Sequence, residues 1–384
     1  MRKNNKVKPL KIGIVGTGIA GMSAAWLLSQ NHDVTVFEKD DRIGGHTNTV
    51  VINGLRIDTG FILYNIKNYP NLIALFKYLG VETHSTDMSF GVSIDQGAFE
   101  YSGGSLKGLF AQKSNFFRLR FWRMVKDILR FYREAPLAID EERIANVTLG
   151  EYLFHNKYSQ EFQNDHLLPM GAAIWSTPVD AMLEYPLRAF IQFCDNHGLL
   201  QISDRPEWRT VKGGSHEYVK KLIKPFKNRI LTNQSVTEIW SDENSAFIQN
   251  RDGNVTNFDH VLMACHADQS LRLLKLPTPL EQDLLSSFNY QDNKAVLHTD
   301  INLMPKNKGA WSSWNYLSEK NGTQNDVCVT YWMNRLQNLN TETDYFVTLN
   351  PEKMPKEGTV LRSFIYQHPI FDTKSMSAQE TLWN

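Results

Sequence analysis

The chain has 384 residues, of which 42% are hydrophobic and 21% charged, as in ordinary globular proteins. Lys plus Arg and Asp plus Glu each total 41, so the overall charge argues against a nucleic-acid partner. Three widely spaced cysteines exclude a disulfide framework and a CxxC pair. No apolar run reaches about 18 residues, and we expect a cytoplasmic protein. The length exceeds the roughly 250–300 residues at which a single core stops growing, which favours two domains.

The first predicted elements form a βαβ unit. Residues 12–15 are an apolar run typical of a buried parallel strand. Helical spacing of apolar residues follows and ends near Asn31-His32. Residues 34–38 then have the pattern of a second buried strand. Such a unit places the loop after its first strand at the edge of a parallel sheet.

The following elements alternate in character. Asn53-Gly54 predicts a hairpin, and a helix is expected from Pro70 to a stop at Gly80. Short strands are predicted over 83–101, helices over 114–196, and strands at 229–231, 236–240, 246–248 and 258–264, the last a buried strand. An α/β block, a helical block and a second β-rich block favour interleaved domains over consecutive ones.

The loop after the first strand carries a GxGxxG motif formed by Gly16, Gly18 and Gly21. The first glycine permits a tight turn, the second lets the backbone approach a pyrophosphate, and the third lets the helix pack on the strand. Glu38 ends the second strand and suits an acceptor for ribose hydroxyls. The motif in this context predicts dinucleotide binding but does not separate NAD from FAD.

The next segment, Asp41-Arg-Ile-Gly-Gly-His-Thr-Asn-Thr49, resembles a second fingerprint of the flavin amine oxidase and phytoene-desaturase superfamily. That fingerprint is Arg-x-Gly-Gly-Arg-x-x-Thr/Ser. Arg42, Gly44, Gly45 and Thr49 match it, whereas His46 stands where the family usually has arginine. The two glycines would let the backbone pass close to a cofactor, and Arg42 could neutralise phosphate charge.

Four later segments continue this resemblance. Arg56-Ile-Asp-Thr-Gly-Phe-Ile62 resembles the element beside the flavin ring, and Lys212-Gly-Gly-Ser215 the double glycine where the chain re-enters the cofactor domain. Val236 resembles the backbone contact to adenine, and 258–266 the strand beneath the cofactor. The resemblance implies FAD. The expected cofactor-binding residues are Gly16, Gly18, Ile19, Ala20, Gly21, Glu38, Lys39, Arg42, Gly44, Gly45, His46, Thr59, Gly60, Phe61, Val236 and Ala264.

The resemblance also implies a fold. We expect an α/β protein with a Rossmann-like FAD-binding domain of the amine oxidase type, residues 1–82 and 206–285. This domain would be interleaved with an α+β substrate domain, residues 83–205 and 286–384. In the family, the chain returns to the cofactor after the substrate domain. Because this sequence ends at Asn384, we expect the segment that closes the flavin site to be missing.

A closer resemblance concerns Ala172-Ala-Ile-Trp-Ser-Thr-Pro178, Asp195-Asn-His-Gly-Leu199, Ala295-Val-Leu-His-Thr-Asp300 and Val329-Thr-Tyr-Trp-Met-Asn334. These resemble a bacterial branch of predicted NAD/FAD-binding proteins, similar to the flavoprotein segment of plant cyclopropane-fatty-acid synthases. This implies an FAD-dependent oxidoreductase acting on a hydrophobic substrate, such as a lipid acyl chain or isoprenoid. The alternatives are an amine oxidase and an inactive flavin-binding protein or partner subunit.

Candidate residues on the substrate side each have two interpretations. Lys294 falls near where amine oxidases place a lysine beside the flavin, or it is an exposed surface lysine. His298 points into a cleft or is a satisfied core histidine. A set of aromatic residues, together with Ser176, either lines an apolar tunnel or belongs to the core. The aromatic residues are Trp175, Trp311, Trp314, Tyr331 and Trp332. His166, His197 and His266 lack metal-ligand spacing, so no metal site is expected.

Residues 113–134 combine apolar residues at helical spacing with basic residues that mostly fill the gaps, namely Arg118, Arg120, Arg123, Lys126, Arg130 and Arg133. The apolar positions are Phe117, Phe121, Met124, Ile128 and Tyr132. One interpretation is a domain helix with its apolar stripe on the core and a solvated basic face. The other is an interfacial helix resting on anionic lipid. We therefore weigh a peripheral membrane contact through this segment.

Overall fold

The computed structural model describes residues 8–139, 147–175, 178–319 and 328–382. The strands are β1 (Lys11–Val15), β2 (Asp33–Phe37), β3 (Thr49–Ile52), β4 (Leu55–Asp58), β5 (Leu63–Asn65), β6 (Thr83–Thr86), β7 (Phe90–Ile94), β8 (Phe99–Ser102), β9 (Trp208–Val211), β10 (Ile230–Leu231), β11 (Val236–Ser241), β12 (Ala246–Asn250), β13 (Val255–Phe258), β14 (His260–Met263), β15 (Asn289–His298), β16 (Trp314–Ser318), β17 (Cys328–Trp332), β18 (Phe346–Leu349) and β19 (Val360–Ile370).

The α-helices are α1 (Ile19–Leu28), α2 (Pro70–Leu79), α3 (Leu106–Leu109), α4 (Leu119–Ala138), α5 (Leu149–His155), α6 (Gln160–Phe162), α7 (Leu168–Trp175), α8 (Val179–Leu183), α9 (Leu187–Asn196), α10 (His216–Leu222), α11 (Ala267–Leu273), α12 (Pro279–Leu285), α13 (Met333–Leu336) and α14 (Thr373–Thr381). A π-helical turn spans Gln163–Leu167, and 3₁₀ turns span Lys113–Phe117, Lys227–Arg229, Ile301–Leu303 and Lys308–Ala310. Among the described residues, no helix is long and apolar enough to cross a bilayer.

A four-stranded parallel sheet of order β10-β2-β1-β14 contains the predicted βαβ unit. In β1, Ile14 is fully buried and lies opposite Val36 of β2. Met22 of α1 and Val219 of α10 join the same core cluster. This arrangement fixes the loop after β1 at the carboxyl edge of the sheet, where open α/β sheets bind ligands.

The predicted buried strand over 258–264 is wrong in two respects. The chain divides at Asp259: β13 pairs with β12 in an antiparallel sheet, whereas β14 pairs in parallel with β1. In addition, β14 alternates between exposed and half-buried positions, and the Leu262 side chain is 38% exposed. The physical reason is that, within the described residues, β14 pairs with β1 alone and forms the edge of its sheet.

Other local predictions hold because their signals are local. β3 and β4 form the expected antiparallel hairpin, with positive φ at Asn53 and Gly54. Helix α2 begins at Pro70 and ends at Gly80, whose φ of 63° is left-handed. Proline at a helix start and glycine after its end are favoured because each residue suits the local backbone geometry.

A seven-stranded mixed sheet of order β19-β15-β18-β17-β16-β7-β8 forms the second half. Helices α4 to α9 pack with it around the largest hydrophobic cluster, which includes Phe121 and Phe190. Its strands come from residues 90–102 and 289–370. A small sheet of order β5-β9-β6 lies across the expected boundaries at 82 and 206, and the domain boundaries themselves stay a prediction.

Candidate cofactor and substrate site

The glycine loop after β1 is a tight turn with one open position. Gly16 has a φ of 106°, and its N–H donates to the Phe37 carbonyl at 2.9 Å. A Cβ on Gly21 would lie 2.1 Å from the Gly16 carbonyl oxygen, so this residue packs α1 onto β1. At Gly18, which precedes α1, no described atom lies within 4 Å of where a Cβ would stand. The first N–H groups of α1 are therefore open to an approaching anion.

A second glycine pair lies against this loop. Gly44 and Gly45 both have positive φ, 117° and 55°. A Cβ on Gly45 would lie 3.0 Å from the Gly18 Cα, and the Gly44 N–H donates to the Thr17 hydroxyl at 3.2 Å. Glycine at position 45 lets the two backbone segments meet this closely, and glycine at position 44 lets its loop turn back onto the Thr47 carbonyl. The two motifs thus form one backbone-lined cradle.

Glu38 and Arg42 hold this cradle in shape. The Glu38 carboxylate accepts the Thr17 N–H at 3.1 Å and the Asp40 N–H at 3.1 Å. The Arg42 guanidinium donates to the Gly45 carbonyl at 2.8 Å and the Thr47 carbonyl at 3.1 Å. Arg42 thus fixes the 42–47 loop through backbone carbonyls, a role the sequence did not predict, while its side chain still lines the cavity.

One cavity of about 1660 Å³ collects the predicted cofactor residues. All of them line it except Gly21, which packs beneath the loop. Ordinary ligand sites measure roughly 300–1,000 Å³, so this cavity has room for a dinucleotide and a further molecule. Their individual contacts with FAD stay a prediction.

A histidine cluster occupies one wall. The His46 ring lies 5.6 Å from that of His368, 6.2 Å from that of His266 and 5.3 Å from that of Tyr366. Although the His46 ring is exposed to the cavity, partial burial and the neighbouring His368 and His266 lower its pKa to about 4. His46 is therefore neutral at pH 7. It brings no charge where the resembled family has an arginine.

The β19 residues of this wall escaped the sequence reasoning. Five consecutive residues of β19, 364–368, line the cavity, among them Phe364, Tyr366 and His368. The Tyr366 hydroxyl is 2.7 Å from the Thr59 hydroxyl and accepts from the Asn48 amide at 2.9 Å. No motif in the sequence marked these residues as cavity lining, because their position in this wall is set by the pairing of β19 with the distant strand β15.

The rest of the cavity is largely apolar and aromatic. Trp314 and Tyr331 meet edge to face at 5.1 Å, and the His197 ring stacks on Phe193 at 4.0 Å. Further apolar side chains here are Ile62, Leu63, Tyr69, Leu72, Met88, Ile174, Leu199, Trp208 and Leu349. The Trp314 Nε1 is buried without a hydrogen-bond partner in the described structure. Such a wall excludes water and suits an apolar ligand.

Several predicted substrate-side residues lie elsewhere. Lys294 is exposed on β15, outside the cavity, and its ammonium contacts the Met354 sulfur at 3.5 Å. The structure does not bring it to the cofactor residues, because its side chain leaves the sheet on the exposed side. His298 is fully buried, and its ring accepts the Asp300 N–H at 3.1 Å and bonds the Thr348 hydroxyl at 2.7 Å. It is a satisfied core histidine.

The predicted aromatic tunnel divides in the same way. Trp314 and Tyr331 line the cavity, whereas Trp175 packs on Tyr185 at 4.7 Å in the core. Trp311 and Trp332 pack together in a separate apolar cluster. Ser176 lies outside the described residues. Among the residues that the structure describes, no cluster of His, Cys, Asp or Glu could hold a metal ion.

The two glycine segments, the uncapped start of α1 and the cavity beside them define a dinucleotide-binding protein. The residues fit FAD on geometric grounds, because a Cβ at Gly45 would fill the cradle and the space at Gly18 is open. Residues 19–381 match the family described as flavin containing amine oxidoreductase. The chain belongs to this family, and the prediction of FAD as its cofactor is confirmed.

Three comparisons illustrate the relationship. The chain is 26% identical over 232 residues to a Mycobacterium tuberculosis protein provisionally named flavin-containing monoamine oxidase AofH, covering 59% of this chain and 50% of that protein. It is 40% identical over 52 residues to 4,4'-diapophytoene desaturase of Staphylococcus aureus, 13% of this chain and 10% of that one. The crystal structure of the CLA-producing fatty acid isomerase from P. acnes matches with a TM-score of 0.67 and 13% identity, covering 96% of this chain and 89% of that chain. The last likeness shows the fold.

The alignment with AofH spans half the length of that protein. The fold expected from the sequence, a Rossmann-like FAD-binding unit combined with an α+β substrate unit of the amine oxidase type, is confirmed by the family and its structural neighbours.

Proposed function

We propose that this protein is an FAD-dependent oxidoreductase that removes a hydride from an apolar substrate, such as a lipid acyl chain or an isoprenoid. The observation that carries this proposal is the composition of the cavity. One part is a glycine cradle at the start of α1, and another is a wall formed by residues such as Trp314, Tyr331 and Ile174.

When bound, FAD supplies a hydride acceptor, and the protein supplies binding, orientation and a suitable environment. The open N–H groups at Gly18 and the positive end of α1 would hold the pyrophosphate. The Glu38 carboxylate, just after β2, would accept ribose hydroxyls, and Val236 lines the same cavity. The apolar wall would orient the substrate and exclude water from the reacting carbon.

Two relatives support an apolar substrate by what their names state. One is a diapophytoene desaturase and the other a fatty acid isomerase. An amine substrate is the second candidate, which AofH favours. Against it stands Lys294, the residue expected to act in an amine oxidase, because its side chain lies outside the cavity. A flavin-binding protein without turnover is the third candidate.

The test is anaerobic reduction of the FAD-loaded protein by candidate substrates. The reduction is measured as the loss of the visible absorption of the flavin. Methyl-branched and cyclopropane acyl lipids form one panel, and mono- and diamines form the other. We expect bleaching by the lipid panel. Bleaching by amines alone would contradict the proposal, and a loaded protein that neither panel reduces would favour a binding role.

Two matched variants connect the result to the cavity. Ile174→Asn places an amide in the apolar wall and should slow reduction by lipid at least tenfold while FAD remains bound. Leu276→Asn changes a side chain that is 86% exposed and lies outside the cavity, so it should leave the rate unchanged. Equal effects of both variants would show that the apolar wall does not hold the substrate.

A further inference from the structure

An exposed apolar cluster surrounds the start of α4. Phe117 is 86% exposed, Leu106 77%, Leu119 75%, Phe116 56% and Trp122 41%. We call these five residues the α4 entry surface. Single exposed apolar residues are normal, whereas several large ones within a short segment indicate an interaction site. Phe117 is therefore not part of the core-facing apolar stripe that the sequence predicted. Phe121, Met124 and Phe131 do face the core.

This surface is held by a defined set of hydrogen bonds. The Trp122 indole donates to the Phe116 carbonyl at 2.8 Å, which fixes the 3₁₀ turn against α4. The Asn115 amide donates to the Glu100 carbonyl at 2.9 Å, and the Arg118 guanidinium to the Ala98 carbonyl at 2.7 Å. The exposed rings are therefore presented by an ordered turn tied to β8.

The chain segment that carries this surface is basic. Residues 105–126 contain six basic residues and no acidic one, in a chain whose net charge is zero; they are Lys107, Lys113, Arg118, Arg120, Arg123 and Lys126. Arg120 and Arg123 pair with Asp165 and Glu161 of the helical block. Lys107, Lys113 and Lys126 are exposed, and the described structure gives them no ion pair. They leave a local positive excess.

The outward side of α4 continues the same mixture. Leu129 is 50% exposed and Leu137 73% exposed. Along α4, Trp122, Lys126, Leu129 and Leu137 follow one another at spacings of four, three and eight residues. The outer face of a helix within a globular domain is ordinarily polar. An outer face that mixes large apolar with basic residues is instead typical of helices that lie along a bilayer surface.

We propose that the α4 entry surface binds the surface of an anionic bilayer. The exposed phenylalanines and leucines enter the boundary between headgroups and acyl chains, and Lys107, Lys113 and Lys126 contact anionic headgroups. Charge complementarity selects this occupant, because the exposed lysines Lys107, Lys113 and Lys126 match a negatively charged lipid surface. The proposal does not depend on the proposed reaction.

The experiment is flotation of the 384-residue, FAD-loaded protein with vesicles of phosphatidylcholine alone or of phosphatidylcholine with phosphatidylglycerol. We expect binding to the mixed vesicles, at least tenfold weaker binding to the neutral ones, and release by salt. Phe117→Ser/Leu119→Ser should reduce binding to the mixed vesicles at least tenfold. Lys107→Glu/Lys113→Glu/Lys126→Glu should abolish the preference for the anionic lipid.

The matched control is Leu276→Ser/Leu280→Ser, which removes two leucines that are 86% and 64% exposed elsewhere on the surface. It should bind vesicles like the unaltered protein. Circular dichroism establishes that each variant is folded. Absence of vesicle binding, equal loss in the control, or a self-association removed by Phe117→Ser/Leu119→Ser without any vesicle binding would each overturn the proposal.

Discussion

Replacing Gly18 by alanine separates cofactor binding from folding. Its φ of −62° and ψ of 175° suit alanine, and a Cβ there meets no described atom within 4 Å. Glycine is favoured over alanine at a helix N-cap, whereas alanine restricts the unfolded chain more than glycine does. These two effects on the free energy of unfolding are each below about 1 kcal/mol and oppose each other. The free energy of unfolding of the FAD-free protein should therefore change by less than about 0.5 kcal/mol.

The same methyl group would stand where the pyrophosphate must approach the backbone. Losing one hydrogen bond from an N–H to a charged phosphate costs about 1.5–3 kcal/mol. Affinity for FAD should consequently fall by a factor of roughly 10 to 150. Titration of the FAD-free protein, followed by quenching of flavin fluorescence, measures this change directly.

Gly21→Ala is the matched control. Its Cβ would lie 2.1 Å from the Gly16 carbonyl oxygen, which is backbone and cannot turn aside. Overpacking of this kind costs about 1–3 kcal/mol, so this variant should lower the free energy of unfolding even without FAD. Wild-type FAD affinity in Gly18→Ala, or equal destabilisation by both substitutions, would refute the reasoning about the open cradle.

Three further predictions follow from single side chains. Lys294→Met should leave flavin reduction unchanged in stopped-flow assays, because Lys294 lies outside the cavity; a strong slowing would restore it as a base. Burial lowers the pKa of His166 and of His298 from 6.5 to about 4. The unfolded chain therefore binds protons first as the pH falls, and each histidine should remove up to about 3 kcal/mol of stability between pH 6.5 and 4. Denaturant titrations of His298→Gln should show a smaller fall over that range, and an unchanged fall would contradict this assignment. Burial raises the pKa of Asp58 to about 6. The unfolded chain therefore releases this proton at a lower pH than the folded protein, and Asp58 reduces the stability of the fold as the pH rises from about 4 through 6. Over that range Asp58→Asn should lose less stability than the unaltered protein.

The sequence by itself determined the cofactor half of this protein. Gly16, Gly44 and Gly45 have positive φ, and a backbone conformation that favours glycine is written directly in residue type. The hairpin at Asn53-Gly54 and the helix stop at Gly80 follow for the same reason. The spacing from the glycine loop to Glu38 was sufficient to bring both to one cavity.

The tertiary structure alone decided the substrate half. Lys294 and Tyr366 both lie in strands of the same sheet, yet one is exposed and the other faces the cavity. Local sequence does not state which face of a strand meets a neighbouring helix or which strand becomes an edge, as β14 also shows. The environment that each face of a strand meets is set by pairing between segments far apart in the chain. A residue's chemistry is readable from its type, but its access to the cofactor depends on those distant contacts.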